Sequence, residues 1–155
     1  MKTIVVGYDA SETAARVLDR AAELAETLAA RLVVVSVTEP VTTTAPVLEP
    51  PGPMGLVVGP TPGAEPELAQ ETDPRELAQR RLEQARSRLA SRSLEADYVP
   101  EVGSAAERLL AVADERDAEL VVVGRGDHGF LERLVAQPVE EALARRAERD
   151  VLIVH

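Results

Sequence analysis

Three glycines in the stretch VVVGRGDHGFLERLVAQPV, residues 121–139, carry the strongest chemical signal in this chain. Gly124, Gly126 and Gly129 follow an all-apolar run of the kind found in buried strands and open a helical pattern. Backbone amides freed at such a helix start are well placed to hold phosphate. The same glycines can equally serve a plain strand-to-helix turn. Ala136, Gln137 and Pro138 follow, a poor ending for a phosphate cradle. A second polar turn, Asp9, Ala10 and Ser11, comes directly after the first apolar run. It is either a ligand segment or simply the cap of the helix that follows.

The elements that must position these turns can be read from hydrophobic spacing. Residues 3–8 and 31–37 are β-branched runs too short for buried helices, and they bracket a segment in which Ala14, Leu18, Ala21, Ala25 and Leu28 recur at three and four residues. This is a βαβ unit with parallel strands. From 38 to 72 the pattern gives way to proline, glycine and threonine, which predicts a long flexible loop, either a lid or a bland insertion. Asp73, Pro74 and Glu76 then supply a cap, a first-turn proline and an acid three residues after the cap. The stripe of that helix is Ala78, Leu82, Ala85 and Leu89, with Arg80, Arg81, Arg86, Arg88 and Arg92 around its other faces as a solvated or partner-binding surface.

Residues 94–102 contain Pro100 and suit an edge strand. Ser104 and Glu107 form a capping box ahead of Ala106, Leu109, Leu110 and Ala113. The run 119–123 is the fourth strand, Pro138 starts a last helix with Val139, Ala142 and Leu143 inside, and 151–154 ends the chain as a fifth strand. The alternation predicts an α/β fold, one doubly wound five-stranded parallel sheet covered on both faces, in a single domain over 1–155. In the order 3-2-1-4-5 the first and fourth strands meet at the reversal, so both polar turns open on one crevice. The same order leaves Val151, Leu152, Ile153 and Val154 on an apolar edge suited to pairing with a second copy.

Composition narrows the chemistry. The 155 residues contain no cysteine, which removes disulfides, thiolate metal sites and cysteine nucleophiles. A net charge of −10 and 2% aromatic residues disfavour nucleic acid and anionic membranes. No apolar run approaches the roughly 20 residues that span a bilayer, and the start has no signal-peptide pattern, so the expected location is cytoplasmic. The letters Gly124-x-Gly126-x-x-Gly129 match a dinucleotide fingerprint, but that motif belongs to the first strand of its sheet. No nucleophile elbow, P-loop or HExxH is present, so no independent enzyme is expected.

Taken in order, KTIVVGYDASE, RLVVVSVTEP, EVGSAAERLLAVADERDAELVVVG and the closing VLIVH resemble the universal stress proteins over nearly the whole chain. The resemblance implies the strand order 3-2-1-4-5, cytoplasmic dimers joined through the last strand, and a role in stress survival. Some members bind ATP. In those, the fourth strand is followed by a glycine, two residues, a second glycine, nine residues and then glycine with serine or threonine. Here Gly126 matches the second glycine, only Arg125 separates it from Gly124, and Ala136 and Gln137 replace the final pair. The resemblance further implies that Asp9 holds the nucleoside and Val37 presents backbone to adenine. One lost charge-assisted hydrogen bond of about 1.5–3 kcal/mol weakens phosphate binding roughly 10- to 100-fold, although Gln137, Arg125 or His128 can compensate. Two functions therefore stand: a dimer acting through contacts with a protein partner, its glycine loop degenerate, or a protein whose long loop is switched by ATP with Mg2+.

Overall fold

The structure is a computed structural model that describes residues 1–40, 73–125 and 149–155. The described residues belong to one compact unit, Met1–Pro40 with Asp73–His155. In chain order it contains β1 (Thr3–Gly7), α1 (Glu12–Leu28), β2 (Arg31–Thr38), α2 (Pro74–Leu89), β3 (Ala96–Val102), α3 (Ala105–Glu115), β4 (Leu120–Gly124) and β5 (Asp150–Val154). All strand pairs are parallel, and the order is β3-β2-β1-β4-β5, as expected. The loop expected over 38–72 lies, from 41 onward, outside the described residues, as does the helix expected from Pro138. Thr38 itself is the last residue of β2 rather than the first of the loop. Its hydroxyl donates to the Pro74 carbonyl, and its carbonyl accepts from Gly103 N–H at 3.0 Å.

Period-two alternation divides the apolar runs between two cores. Ile4, Val6, Leu32, Val34 and Val122 face α1 and α2, while Val5, Val33, Val35, Val121 and Val123 face α3. A parallel strand buried on both faces needs such unbroken β-branched sequence. Helix α1 begins where Ser11 Oγ accepts the Ala14 amide at 3.1 Å and ends where Ala29 turns left-handed, with Ala30 N–H reaching Ala25 O at 2.8 Å. In α2 the whole expected stripe is buried, and Asp73 Oδ1 caps Arg75 N–H at 3.0 Å.

Three expectations are corrected. Leu28 is 46% exposed, because it is the last residue of α1 and the chain turns away beyond it. On α3 the buried position is Val112 and Leu110 is half-buried, since the inward direction runs through Leu109 and Ala113 and a helix turns about 100° per residue. Ser104 occupies the N-cap of α3, but its side chain makes no capping hydrogen bond, so the serine half of the box is not formed. The arginines of α2 form the expected solvated face, Arg80, Arg86 and Arg88 being exposed, and two of them, with Arg92 just beyond the helix, also tie it to its neighbours. Arg88 grips Asp19 of α1 through Nε at 2.9 Å and Nη2 at 2.6 Å, Arg92 reaches Glu26 at 3.2 Å, and Arg86 lies 4.7 Å from the Tyr98 ring centre.

Candidate functional site at the strand order reversal

Where β1 and β4 end side by side, their chains diverge, and a crevice of about 170 Å³ opens between them and α3. Its walls include Gly7, Asp9, Ser11 and Thr13 from the first strand and helix, Val35 and Val37 from β2, Ala105 and Leu109 from α3, and Val123 and Gly124 from β4. Four of the expected residues, Asp9, Ser11, Val37 and Gly124, thus meet in one place.

The turn after β1 is built tightly. Asp9 Oδ1 accepts the Ser11 amide at 2.9 Å, which orients the carboxylate. Ala10 lies between them at φ 65°, a left-handed conformation that costs an L-residue roughly 1–2 kcal/mol. Asp9 is exposed, and Oδ2 enters no hydrogen bond among the described residues. Tyr8, immediately before it, is buried against the α1 side of the sheet, and burial pushes its phenol above the usual value, with the Asp9 charge adding to the rise and Arg88 opposing it.

Val37 contributes through its backbone. Val35 C=O accepts Tyr8 N–H at 2.8 Å, and residues two apart on a strand direct their backbone groups to the same side. The N–H and C=O of Val37 therefore point toward β1 just past its end, since the β1–β2 register stops at Gly7 and Val35. A donor and an acceptor on one strand edge suit the edge of a heterocyclic base.

Gly124 has a structural task that the sequence pattern does not reveal. A Cβ there would stand 2.9 Å from Val17 Cγ2 and 3.1 Å from Thr13 Cγ2, so the missing side chain lets α1 cross close over β4. Arg125 follows Gly124 but does not line the crevice; it is exposed, with its N–H on Val154 O at 3.0 Å and no ion pair among the described residues. Gly126, His128, Gly129, Ala136 and Gln137 lie outside the described residues. Sequence reading missed Gly7, Thr13, Ala105 and Leu109, which converge only once α3 is folded back over β1. Among the described residues no group of three or more His, Cys, Asp or Glu side chains could hold a metal ion, and no helix is long and apolar enough to cross a membrane.

At the sheet's far side, β5 pairs with β4 alone among the described strands. Asp150 N–H bonds Glu119 O at 3.0 Å and Val154 O accepts Arg125 N–H, so residues of even number face β4. Val151 and Ile153 direct their backbone groups away from β4, and each residue is 38% exposed.

The family model described as "Universal stress protein family" matches residues 1–155. A curated relative, the stress response protein NhaX of Bacillus subtilis, is 26% identical over 97% of this chain and 96% of its own. Among solved structures, a universal stress protein in complex with cAMP is 26% identical, covering 99% of this chain and 97% of that one, with a TM-score of 0.61. A protein of the same family from Burkholderia pseudomallei is 30% identical over 99% of this chain and 95% of its own, with a TM-score of 0.59. The sheet order, the crevice at its reversal and the full-length match agree: this chain belongs to the universal stress protein family.

Proposed function

We propose that this stress-response protein binds an adenine nucleotide in the crevice between β1 and β4, holding it by the nucleoside more than by the phosphates. The observation that carries this reading is the pairing of Asp9 with Val37 across one open slot. The oriented Asp9 carboxylate accepts from ribose hydroxyls, and the backbone of Val37 meets the base edge. Support also comes from the similar protein solved with cAMP, a nucleotide with a single phosphate.

The phosphate side of the reading follows from residue types. Ala136 and Gln137 replace the glycine and hydroxyl that the resemblance assigns to terminal phosphates in ATP-binding members, while Arg125, next to the lining residue Gly124, offers one cation. One cation matches one phosphate better than three. AMP or cAMP is therefore expected to bind at least as tightly as ATP with Mg2+. Isothermal titration with each nucleotide, after a denatured sample is checked for nucleotide carried through purification, tests this. Asp9→Ala is expected to weaken binding about 10- to 100-fold, the worth of one hydrogen bond to a charged group. No heat with any nucleotide, and none carried over, refutes the reading.

A second reading concerns assembly. The outward backbone groups and exposed side chains of Val151 and Ile153 favour a homodimer formed by antiparallel pairing of two β5 edges, through which the protein acts on a protein partner.

A further inference from the structure

The sheet ends in two strands of opposite character. Among the described strands β3 pairs with β2 alone and β5 with β4 alone, so each leaves one side of its backbone unpaired. Glu95 O accepts Leu32 N–H and Gly103 N–H reaches Thr38 O, both at 3.0 Å, so the residues of β3 with odd numbers face β2. Ala96, Tyr98, Pro100 and Val102 therefore direct their backbone groups outward. Pro100 stands level with Ser36, whose ladder partners in a parallel pair are the residues on either side of that position, so the proline takes nothing from the sheet. What it removes is one outward N–H. With seven residues against the five of β5, β3 is by length the better template for a further strand, yet only β3 carries a proline. Asp97, held by Arg116 at 3.1 Å, and Glu101, held by Arg108 at 2.8 Å, add fixed charges along it, whereas Val151 to Val154 carry none.

Open strand edges recruit other chains, and charge and proline are what blunt them. A second copy laid antiparallel along the whole of β3 sets Tyr98 of each chain opposite Pro100 of the other. The Tyr98 carbonyl then meets a ring in place of a donor, and the two-fold axis repeats the fault. Each carbonyl buried without a partner weakens association about 10- to 100-fold. We infer that Pro100 is an assembly stop, closing the β3 edge to a second copy so that pairing through strand edges takes place at β5 only. A molecule with two pairing edges joins copies alternately through each and grows into an open ribbon, while one with a single pairing edge closes at two. The count of two rests on the β5 reading above; the closing of β3 does not.

The test is the light-scattering mass of the full chain over a range of concentrations for the parent, Pro100→Val and Pro100→Thr, each also with Ile153→Asp, alongside far-UV circular dichroism. The Pro100 variants are expected to keep the parent's circular dichroism and to pass into larger species that grow with concentration and dissociate on dilution. Combined with Ile153→Asp they are expected to stop at twice the monomer mass, joined through β3. Folded Pro100 variants with the parent's mass at every concentration overturn the stop and leave the β5 reading standing. Growth that comes only with loss of the native circular dichroism overturns it as well. If Ile153→Asp alone keeps the mass of a dimeric parent, the β5 reading falls, and the comparison of the Pro100 variants with the parent still decides the stop. Amide hydrogen exchange reads the same edge in the parent: Tyr98 and Val102 N–H are expected to exchange freely, and Val99 and Glu101 N–H slowly. Slow exchange at Tyr98 means that the β3 edge is already covered and overturns the stop, whether or not the variants fold.

Discussion

Gly124→Ala is expected to destabilise the ligand-free protein by about 1–2 kcal/mol. The new methyl would stand 2.9 Å from Val17 Cγ2 and 3.1 Å from Thr13 Cγ2, closer than carbon atoms tolerate. Val17 is fully buried and cannot recede without disturbing the core between α1 and the sheet. Forcing an extra methyl into such packing costs roughly 1–3 kcal/mol. A 2.9 Å approach to a buried side chain places the cost in the upper half of that range, and alanine returns about 0.4–1 kcal/mol by restricting the unfolded chain, which leaves roughly 1–2 kcal/mol. At roughly 2–4 °C per kcal/mol for a chain of this size, the melting temperature falls by about 2–8 °C. Urea unfolding checks the same quantity: the midpoint drops while the slope stays constant, because the exposed surface is unchanged. Val17→Ala in the same chain opens the needed space, so the two substitutions together cost less than the sum of each alone, by about 0.5–3 kcal/mol. An unfolding midpoint equal to the parent's, or strictly additive costs, refutes the view that this glycine exists for the close crossing of α1 over β4.

Ala10→Gly relieves the left-handed strain at φ 65° and is expected to stabilise by roughly 0.5–1 kcal/mol after the entropy returned to the unfolded chain; a lowered melting temperature refutes it. The hydrogen bonds from Arg88 hold the Asp19 carboxyl below the usual carboxylate range, so this pair stabilises the fold above the unfolded pKa and the contribution is lost as pH falls through the folded one. In Arg88→Ala the Asp19 pKa is expected to rise toward the ordinary value, read by NMR titration, and an unmoved value sinks the assignment. Ile153→Asp places a charge on the open edge and is expected to shift light-scattering mass from dimer to monomer; an unchanged dimer mass rejects pairing through β5.

The sheet was legible because its strands obey one physical rule over and over. TIVVG, RLVVVSVT and LVVVG must be buried on both faces, and helices with stripes such as Ala78, Leu82, Ala85 and Leu89 must cover them. Stripe ends were less legible, since Leu28 follows the period but lies past the last residue that the sheet can cover. Ser104 shows the same limit in polar form. Its spacing from Glu107 satisfies the capping pattern, yet the side chain does not take up the bond. Caps depend on side-chain rotamers that spacing does not encode.

The crevice was legible by its place rather than by its walls. Asp9 and Gly124 announce themselves because each follows an apolar strand, and the strand order brings them together. Leu109 and Ala105 belong to a helix whose pattern shows only that it is amphipathic, and nothing in that pattern says which strand end the helix overhangs. Glycine is ambiguous in sequence for a related reason: its missing side chain can serve a backbone angle, a neighbouring helix or a ligand, and only the position of an absent Cβ distinguishes them. Gly103 serves the first of these uses and Gly124 the second. The fold shared across a family is written in dozens of interchangeable apolar residues, whereas the ligand depends on a few positions around one crevice. Ala136 and Gln137 therefore bear on the proposed ligand and not on the reading of the fold, which rests on the strands and helices named above.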